Sequence, residues 1–277
     1  MAQQHDAKDK TFVVTGGASG LGAQYVQMFL SKGAKGVAIL DVAEETGKAL
    51  AESLNKFYSD QVVFIKCDVS KEEDVTTAFD AVVSRFKQIH VIINNAGIMS
   101  DAPSIWRTAC DVNWQGLVSF TLKGIKHMRK DEGGVGGTII NIASTAALVQ
   151  FPFIPIYNGS KIAVLHFSQC LAMDPFFEKT NIRVLTMCFG PTDTPLLHNL
   201  DARSYEPNLG RMFADSTAAA GVEFQKVESA VKAFIHMFEY GAPGTAWLSA
   251  DNKPVKDITP DIKRVFSELK DLVKSDE

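Results

Sequence analysis

Short apolar runs and helix-length amphipathic stretches alternate along nearly the whole chain. Residues 11–15 (TFVVT) are short and β-branched, and read as a buried strand. A glycine-rich segment follows at 16–22, then helical spacing over 23–31, with Gly33 where a terminal glycine belongs. The alternation continues, with strands predicted at 37–40, 62–66, 90–93, 138–142, 183–188 and 245–248. Helices are predicted at 44–57, 71–86, 104–129, 157–177, 227–240 and 261–273, with Ser70 as the cap of the second of these. This order predicts an α/β fold, a doubly wound parallel sheet of about seven strands with helices on both faces. Nothing divides the chain, so 1–277 is expected to be one dinucleotide-binding and catalytic domain. The aperiodic stretch 193–222 is expected to form a lid, and 258–273 a tail helix.

Composition narrows the class. Of 277 residues, 46% are hydrophobic and 22% charged, which is the balance of a folded globular chain. The net charge of -4, from 28 basic and 32 acidic side chains, argues against a nucleic-acid partner. Four cysteines show no CxxC spacing, which fits buried thiols in a reducing compartment. The first ten residues are polar and form no signal peptide, and no run approaches the ~20 apolar residues of a membrane span. A cytoplasmic location is expected. The six histidines are scattered without ligand spacing, so no metal site is expected.

The first candidate chemistry lies between strand one and helix one. Gly16, Ser19, Gly20, Leu21 and Gly22 follow a strand and open a helix. Glycine permits the tight turn and removes the Cβ that would keep a pyrophosphate from the backbone, while a helix N-terminus presents free N–H groups. This makes the fold Rossmann-type. Asp41 closes the second strand, about 20 residues after the glycines, where a carboxylate accepts ribose hydroxyls and repels a 2′-phosphate. No basic residue follows Asp41, so NAD is expected rather than NADP. Asp68 (with Val69 beside it) is either an adenine contact or a turn residue.

The second set is Asn94-Asn95-Ala96-Gly97 after strand four, Ser144 after strand five, and Tyr157-Asn158-Gly159-Ser160-Lys161 thirteen residues beyond Ser144. Tyr157 and Lys161 are four apart and share a helix face. A phenol titrates near ~10, and an adjacent ammonium and a positive nicotinamide ring are expected to lower that value. Tyr157 then exchanges a proton with an alcohol or ketone oxygen held by Ser144.

Together with the glycine pattern, these motifs resemble the short-chain dehydrogenase/reductase family from about residue 10 to residue 250. The resemblance implies catalysis by Ser144, Tyr157, Lys161 and Asn113. It implies that Asn113 distorts its helix and anchors a water near Lys161. It implies dinucleotide contacts at Asn95, Ala96, Gly97, Tyr157, Lys161, Pro191, Thr192 and Thr194, although Gly190-Pro191 stands where the family commonly has Pro-Gly. It also implies a homodimer or homotetramer. Asp41, the short link over 98–106 and Gly244-Thr245-Ala246-Trp247 are similar to the branch of 15-hydroxyprostaglandin dehydrogenase and the insect-type alcohol dehydrogenases. That prostaglandin enzyme has a polar residue where Ile154 stands. With Met99, Phe189, Leu196 and the 151–156 stretch, Ile154 suggests a site for a more apolar alcohol or its ketone. Two readings stay open beside this one: an NADPH-dependent carbonyl reductase, and a non-catalytic dinucleotide sensor of the same fold.

Overall fold

A computed structural model describes residues 4–219 and 224–273. Five strands form from the apolar runs of the first two thirds of the chain: β1 (Thr11–Thr15), β2 (Gly36–Asp41), β3 (Val62–Lys66), β4 (Val91–Asn94) and β5 (Gly137–Ile142). β6 (Ile182–Phe189), β7 (Ala246–Ser249) and β8 (Lys256–Asp257) complete one sheet of eight strands among the described residues. The order is β3-β2-β1-β4-β5-β6-β7-β8, parallel except for the antiparallel β7–β8 pair. The short β8 is the strand missing from the sequence reading. It has two residues, too few for an alternating pattern to show.

The central strands are buried on both faces, which is why they read as unbroken β-branched and aliphatic runs. On one face lie α1 (Gly20–Ser31), α2 (Glu44–Tyr58) and, later in the chain, α10 (Val227–Tyr240). Phe12 stacks on Phe29 at 4.0 Å between ring centroids, and Tyr25 on Phe234 at 4.0 Å. The other face is covered by α3 (Glu72–Phe86) and by α4 (Trp106–Cys110) and α5 (Leu117–Met128), which a π-helical turn joins over Asp111–Gly116. It is also covered by α6 (Pro155–Leu171) and α7 (Phe176–Thr180). The chain reverses its winding between β1 and β4, and a ligand cleft opens at the carboxyl ends of the strands there.

Several expectations are corrected. The helix predicted at 104–129 starts two residues later and is not continuous, because a π-helical turn widens it at Asn113. The helix predicted at 157–177 starts at Pro155, whose fixed φ suits a first helical position, and stops at Leu171. Pro175 lacks an N–H, and a separate short helix begins after it. Ser70 does not cap α3: Lys71 holds that position, and the Ser70 hydroxyl donates to Asp68 at 2.6 Å. The lid stretch is largely helical: a 3-10 turn at Pro195–Leu197, α8 (Leu200–Arg203) and α9 (Pro207–Ala219). Its last residues, 220–222, lie outside the described residues. The tail forms α11 (Thr259–Val273). At the outer edge of β3, the Asn55 side chain from α2 meets both polar groups of Val62. Its Nδ2 donates to the Val62 carbonyl at 2.8 Å, and Val62 N–H donates to its Oδ1 at 2.9 Å.

Candidate active site

The glycine turn is built by positive-φ backbone. Gly16 has φ of 62° and Gly20 of 52°, a region that side chains with a Cβ enter at a cost. A Cβ on Gly22 would lie 2.1 Å from the Gly16 carbonyl oxygen, so Gly22 lets α1 start directly under the turn. The first helical bond runs from Ala23 N–H to the Ser19 carbonyl at 3.1 Å, which leaves the N–H groups of Gly20, Leu21 and Gly22 ahead of it. α1 has no acidic residue in its first turn, whereas α2 and α3 carry Glu44 and Glu45, and Glu72, Glu73 and Asp74. The positive end of α1 alone among these three is left for an outside anion. Ser19 sits at its N-cap with no side-chain cap bond, so its hydroxyl is not spent on the helix.

Asp41 is held from two sides. Its Oδ2 accepts from Ala18 N–H at 3.0 Å and its Oδ1 from Ala43 N–H at 3.0 Å. Each oxygen keeps a lone pair for the cleft that Asp41 lines. Asp68 and Val69 line the same end. The Asp68 carboxylate accepts from Ser70 N–H and Oγ and lies 3.5 Å from Lys71 Nζ. Burial pushes its pKa up, but the Ser70 and Lys71 bonds together leave it below the usual range. The turn role therefore occupies Oδ1.

Asn95 staples the β1 and β4 exits. Its Nδ2 donates to the carbonyls of Thr15 and Gly16 at 3.0 and 3.1 Å, and the N–H groups of Asn95 and Ala96 donate to Thr15 Oγ1 at 3.0 and 3.1 Å. The Asn95 amide thus shapes the cleft floor, with half-buried Ala96 and exposed Gly97 beside it in the lining. Opposite, Pro191, Thr192 and Thr194 line the cleft after β6. Thr192 Oγ1 donates to Gly190 O at 2.9 Å and Thr194 Oγ1 to Thr192 O at 3.3 Å, so the loop folds on its own hydroxyls.

Ser144, Tyr157 and Lys161 come together at the middle of the cleft, which has a volume of about 670 Å³. Ser144 follows β5. Its Oγ accepts from Ala146 N–H at 3.1 Å and donates to the Phe189 carbonyl at 3.3 Å. Tyr157 and Lys161 face the cleft from the first turns of α6, with Lys161 Nζ 5.6 Å from the Tyr157 ring centroid. Nζ donates to the Ile142 carbonyl at 2.9 Å. Burial governs both titrating groups in the chain by itself. Burial pushes Tyr157 up to about 12, with only a partial offset from the Ser144 hydroxyl bond. Burial likewise pulls Lys161 down to about 8. The chain by itself holds the phenol proton, because desolvation outweighs the Ser144 hydrogen bond.

Asn113 does not line the cleft. From the π-helical turn, its Oδ1 accepts from Ile98 N–H and its Nδ2 donates to the Ile98 carbonyl, both at 2.8 Å, with a further bond to Ser160 Oγ at 3.2 Å. It lies against Gly97, whose Cβ would fall 3.3 Å from Asn113 Oδ1 and 3.7 Å from Lys161 Nζ. Gly22 is the other expected site residue outside the lining; it acts through the turn geometry.

The far end of the cleft is apolar. The expected Met99, Ile154, Phe189 and Leu196 line it, as do Phe151 and Phe153. Leu200, Phe213 and Thr108 were not foreseen there. Phe213 of α9 stacks on Phe153 at 4.2 Å, so α9 meets the segment before α6 through an aromatic pair. Among the described lining residues the charged ones are Asp41, Asp68 and Lys161, all away from this end. Asp101 was also missed. Its carboxylate accepts from Ile156 N–H at 2.5 Å and Tyr157 N–H at 2.9 Å. No group of three or more metal-ligating side chains exists among the described residues, and no helix there is long and apolar enough to cross a membrane.

Residues 10–204 match the family model described as short chain dehydrogenase. The chain belongs to that family. This short-chain dehydrogenase is 33% identical over 203 residues to 15-hydroxyprostaglandin dehydrogenase (NAD+) of Rattus norvegicus, covering 73% of this chain and 74% of the relative. It is 33% identical over 193 residues to alcohol dehydrogenase 1 of Ceratitis cosyra, covering 69% and 73%. Both branches are those that the motifs resembled. Among solved structures, levodione reductase aligns with a TM-score of 0.73 at 21% identity, over 87% of this chain and 96% of that one. A short-chain type dehydrogenase/reductase from Mycobacterium marinum aligns with a TM-score of 0.74 at 21% identity, over 88% and 95%. At that identity they establish the Rossmann-type fold. Membership of this oxidoreductase family supports a nicotinamide dinucleotide as cofactor. The residues fit one: an acid-free helix N-terminus behind a glycine turn, beside a tethered carboxylate.

Proposed function

We propose that this short-chain dehydrogenase is NAD-dependent and interconverts an uncharged, apolar alcohol, secondary or lipid-like, with its ketone or aldehyde. The observation that carries the reading is the meeting of Ser144, Tyr157 and Lys161 between a dinucleotide cradle and an apolar, charge-free pocket. Gly16, Ser19, Gly20 and Leu21 would hold the pyrophosphate, and Asp41 the adenosine ribose. Pro191, Thr192 and Thr194 would meet the nicotinamide end. A bound oxidised nicotinamide supplies the hydride acceptor and a positive charge in the pocket.

The chain's own residues handle the proton. Ser144 holds the substrate oxygen, with its Oγ aligned by Ala146 N–H and the Phe189 carbonyl. Tyr157 Oη takes the hydroxyl proton during oxidation and returns it during reduction. Lys161, kept in place by Ile142, sets the local charge around the phenol. Asn113 acts at one remove, by holding the Ile98 backbone beside Gly97 and Lys161. The segment 193–219 serves as the lid, and with Phe213, Leu196 and Leu200 it shields this chemistry from water. A homodimer or homotetramer would cover the exposed Leu122, Ile162 and Leu269.

Absorbance at 340 nm with NAD or NADP and a panel of alcohols tests the reading. Uncharged secondary and isoprenoid or steroidal alcohols are expected to reduce NAD, and alcohols bearing a remote carboxylate to react at least about tenfold more slowly, because the apolar end of the cleft has no cationic side chain to meet it. Silence with every alcohol despite tight NADH binding would favour the sensor reading. Asp41 gives the second test. Asp41→Ala is expected to lower kcat/KM with NAD by about tenfold and to raise it with NADP, because one desolvated hydrogen-bonded charge is worth roughly 1.5–3 kcal/mol. An unchanged cofactor preference would return the carboxylate to a purely local role between Ala18 and Ala43.

A further inference from the structure

Asp101 is 1% exposed and lies on neither the dinucleotide nor the substrate surface, yet it touches the start of the catalytic helix. α6 begins poorly for its own sequence. Its N-cap is Ile154, which has no side-chain acceptor, and Pro155 has no N–H to satisfy. The next two donors, Ile156 and Tyr157, are taken by the two oxygens of Asp101, from a segment more than fifty residues earlier. A carboxylate there also meets the positive end of the helix. Burial raises the Asp101 pKa, and these two bonds oppose that rise.

The same residue is hooked to the lid. Asp101 N–H donates to the Arg203 carbonyl of α8 at 2.7 Å. The Arg203 guanidinium in turn donates to the Leu196 carbonyl at 2.8 Å and the Pro195 carbonyl at 3.4 Å, and both residues line the apolar pocket. Behind Asp101, the strand exit is fixed by Asn113 on Ile98. A single connected path of hydrogen bonds therefore runs from the lid over the substrate end to the backbone N–H of Tyr157. We infer that Asp101 is a positioning residue that couples the seating of the lid to the placement of Tyr157, so that a loosened lid misplaces the proton-transferring phenol.

This inference rests on the proposed reaction for its kinetic arm, and a second readout needs no turnover. Wild type, Asp101→Asn, Arg203→Ala and the double variant are compared as full chains. The Asn amide matches the carboxylate in shape but turns a donor toward one of the two N–H groups. Asp101→Asn is expected to lower kcat by about tenfold or more with NADH affinity unchanged, since the glycine cradle lies elsewhere. Arg203→Ala is expected to lower kcat too, rather than only raise KM, and the double variant to be no worse than Asp101→Asn. Trypsin cleavage at the exposed Arg211 of α9 is expected to speed up in Asp101→Asn. Effects that multiply in the double variant, or Arg211 cleavage at the wild-type rate, overturn the coupling. Should Asp101→Asn not fold, Arg203→Ala decides alone: a rise in KM with kcat intact overturns it. If wild type shows no turnover, the proposed reaction has failed, and the Arg211 arm still answers for the lid.

Discussion

Tyr157→Phe is expected to reduce turnover by about 10³-fold while NADH binding stays at the wild-type level, the usual scale for removing a positioned acid–base group. The phenol is 7% exposed and packs on Met99, Ala146 and Ile154 in one apolar cluster. Losing one oxygen therefore leaves the packing in place. The pH dependence carries the mechanism further. Because burial pushes Tyr157 up to about 12, the phenolate is scarce at neutral pH and grows with each unit of alkalinity. Wild-type alcohol oxidation is therefore expected to rise with pH from 6 to 9 by roughly tenfold per unit until the cofactor-bound pKa is reached. The residual rate of the Phe variant is expected to be flat. A wild-type profile that is also flat, measured under saturating NAD, would remove the phenol from the proton path.

Lys161→Met is expected to cost activity and raise stability. Burial draws Lys161 from the usual 10.5 to about 8, so at neutral pH the fold carries a proton on a group whose surroundings disfavour it. The sign follows directly. Between about 8 and 10.5 the unfolded chain binds the proton and the folded chain releases it, so stability rises with pH in that window and the full penalty stands below it. A shift of that size corresponds to about 3 kcal/mol. Methionine fills a similar volume without charge. The Ile142 carbonyl loses its donor, which returns about 1–2 kcal/mol of the gain. The net is an expected Tm increase of about 2–8 °C at pH 7, since one kcal/mol moves a chain of this size by roughly 2–4 °C. The advantage over wild type should vanish before pH 10.5 and reverse there, since the variant lacks the Ile142 bond, while kcat at neutral pH falls about 10²-fold. A thermal melt at both pH values decides it, and a Met variant that melts lower at pH 7 contradicts the account. A higher melt with lower kcat in Lys161→Met would mark this residue as a place where the fold gives up stability for chemistry.

Most of the sheet was legible because its strands are buried on both faces, so runs such as TFVVT at β1 carry no competing helical period. The cofactor turn and the Tyr157–Lys161 pair were legible because their spacing is local, and a one-turn separation places two side chains together. Asp101 was not, because its role is defined by α6 and by Arg203, contacts the chain makes only after folding. The π-helical turn at Asp111–Gly116 leaves no composition signal; the distortion at Asn113 is expected from the family resemblance, not from the local pattern. The break after Leu171 is written in the sequence as Pro175, which forbids the ladder bond that a helix through 177 would need. The direction of the Tyr157 shift required burial, which no motif states.

The ends of the sheet bear on how the chain lives among its own copies. An open row of strand amides is a template on which another chain can continue the ladder, the first step toward fibrous aggregates. Here one end is closed by β8, two residues long and reversed in direction, with Lys256 exposed on it. At the other end Asn55 already occupies the outward N–H and carbonyl of Val62, so an incoming strand finds its first two bonding partners engaged. Neither terminator lines the cleft. By the logic of edge protection, removing the Asn55 side chain is expected to make a concentrated solution of the chain more prone to strand-on-strand association.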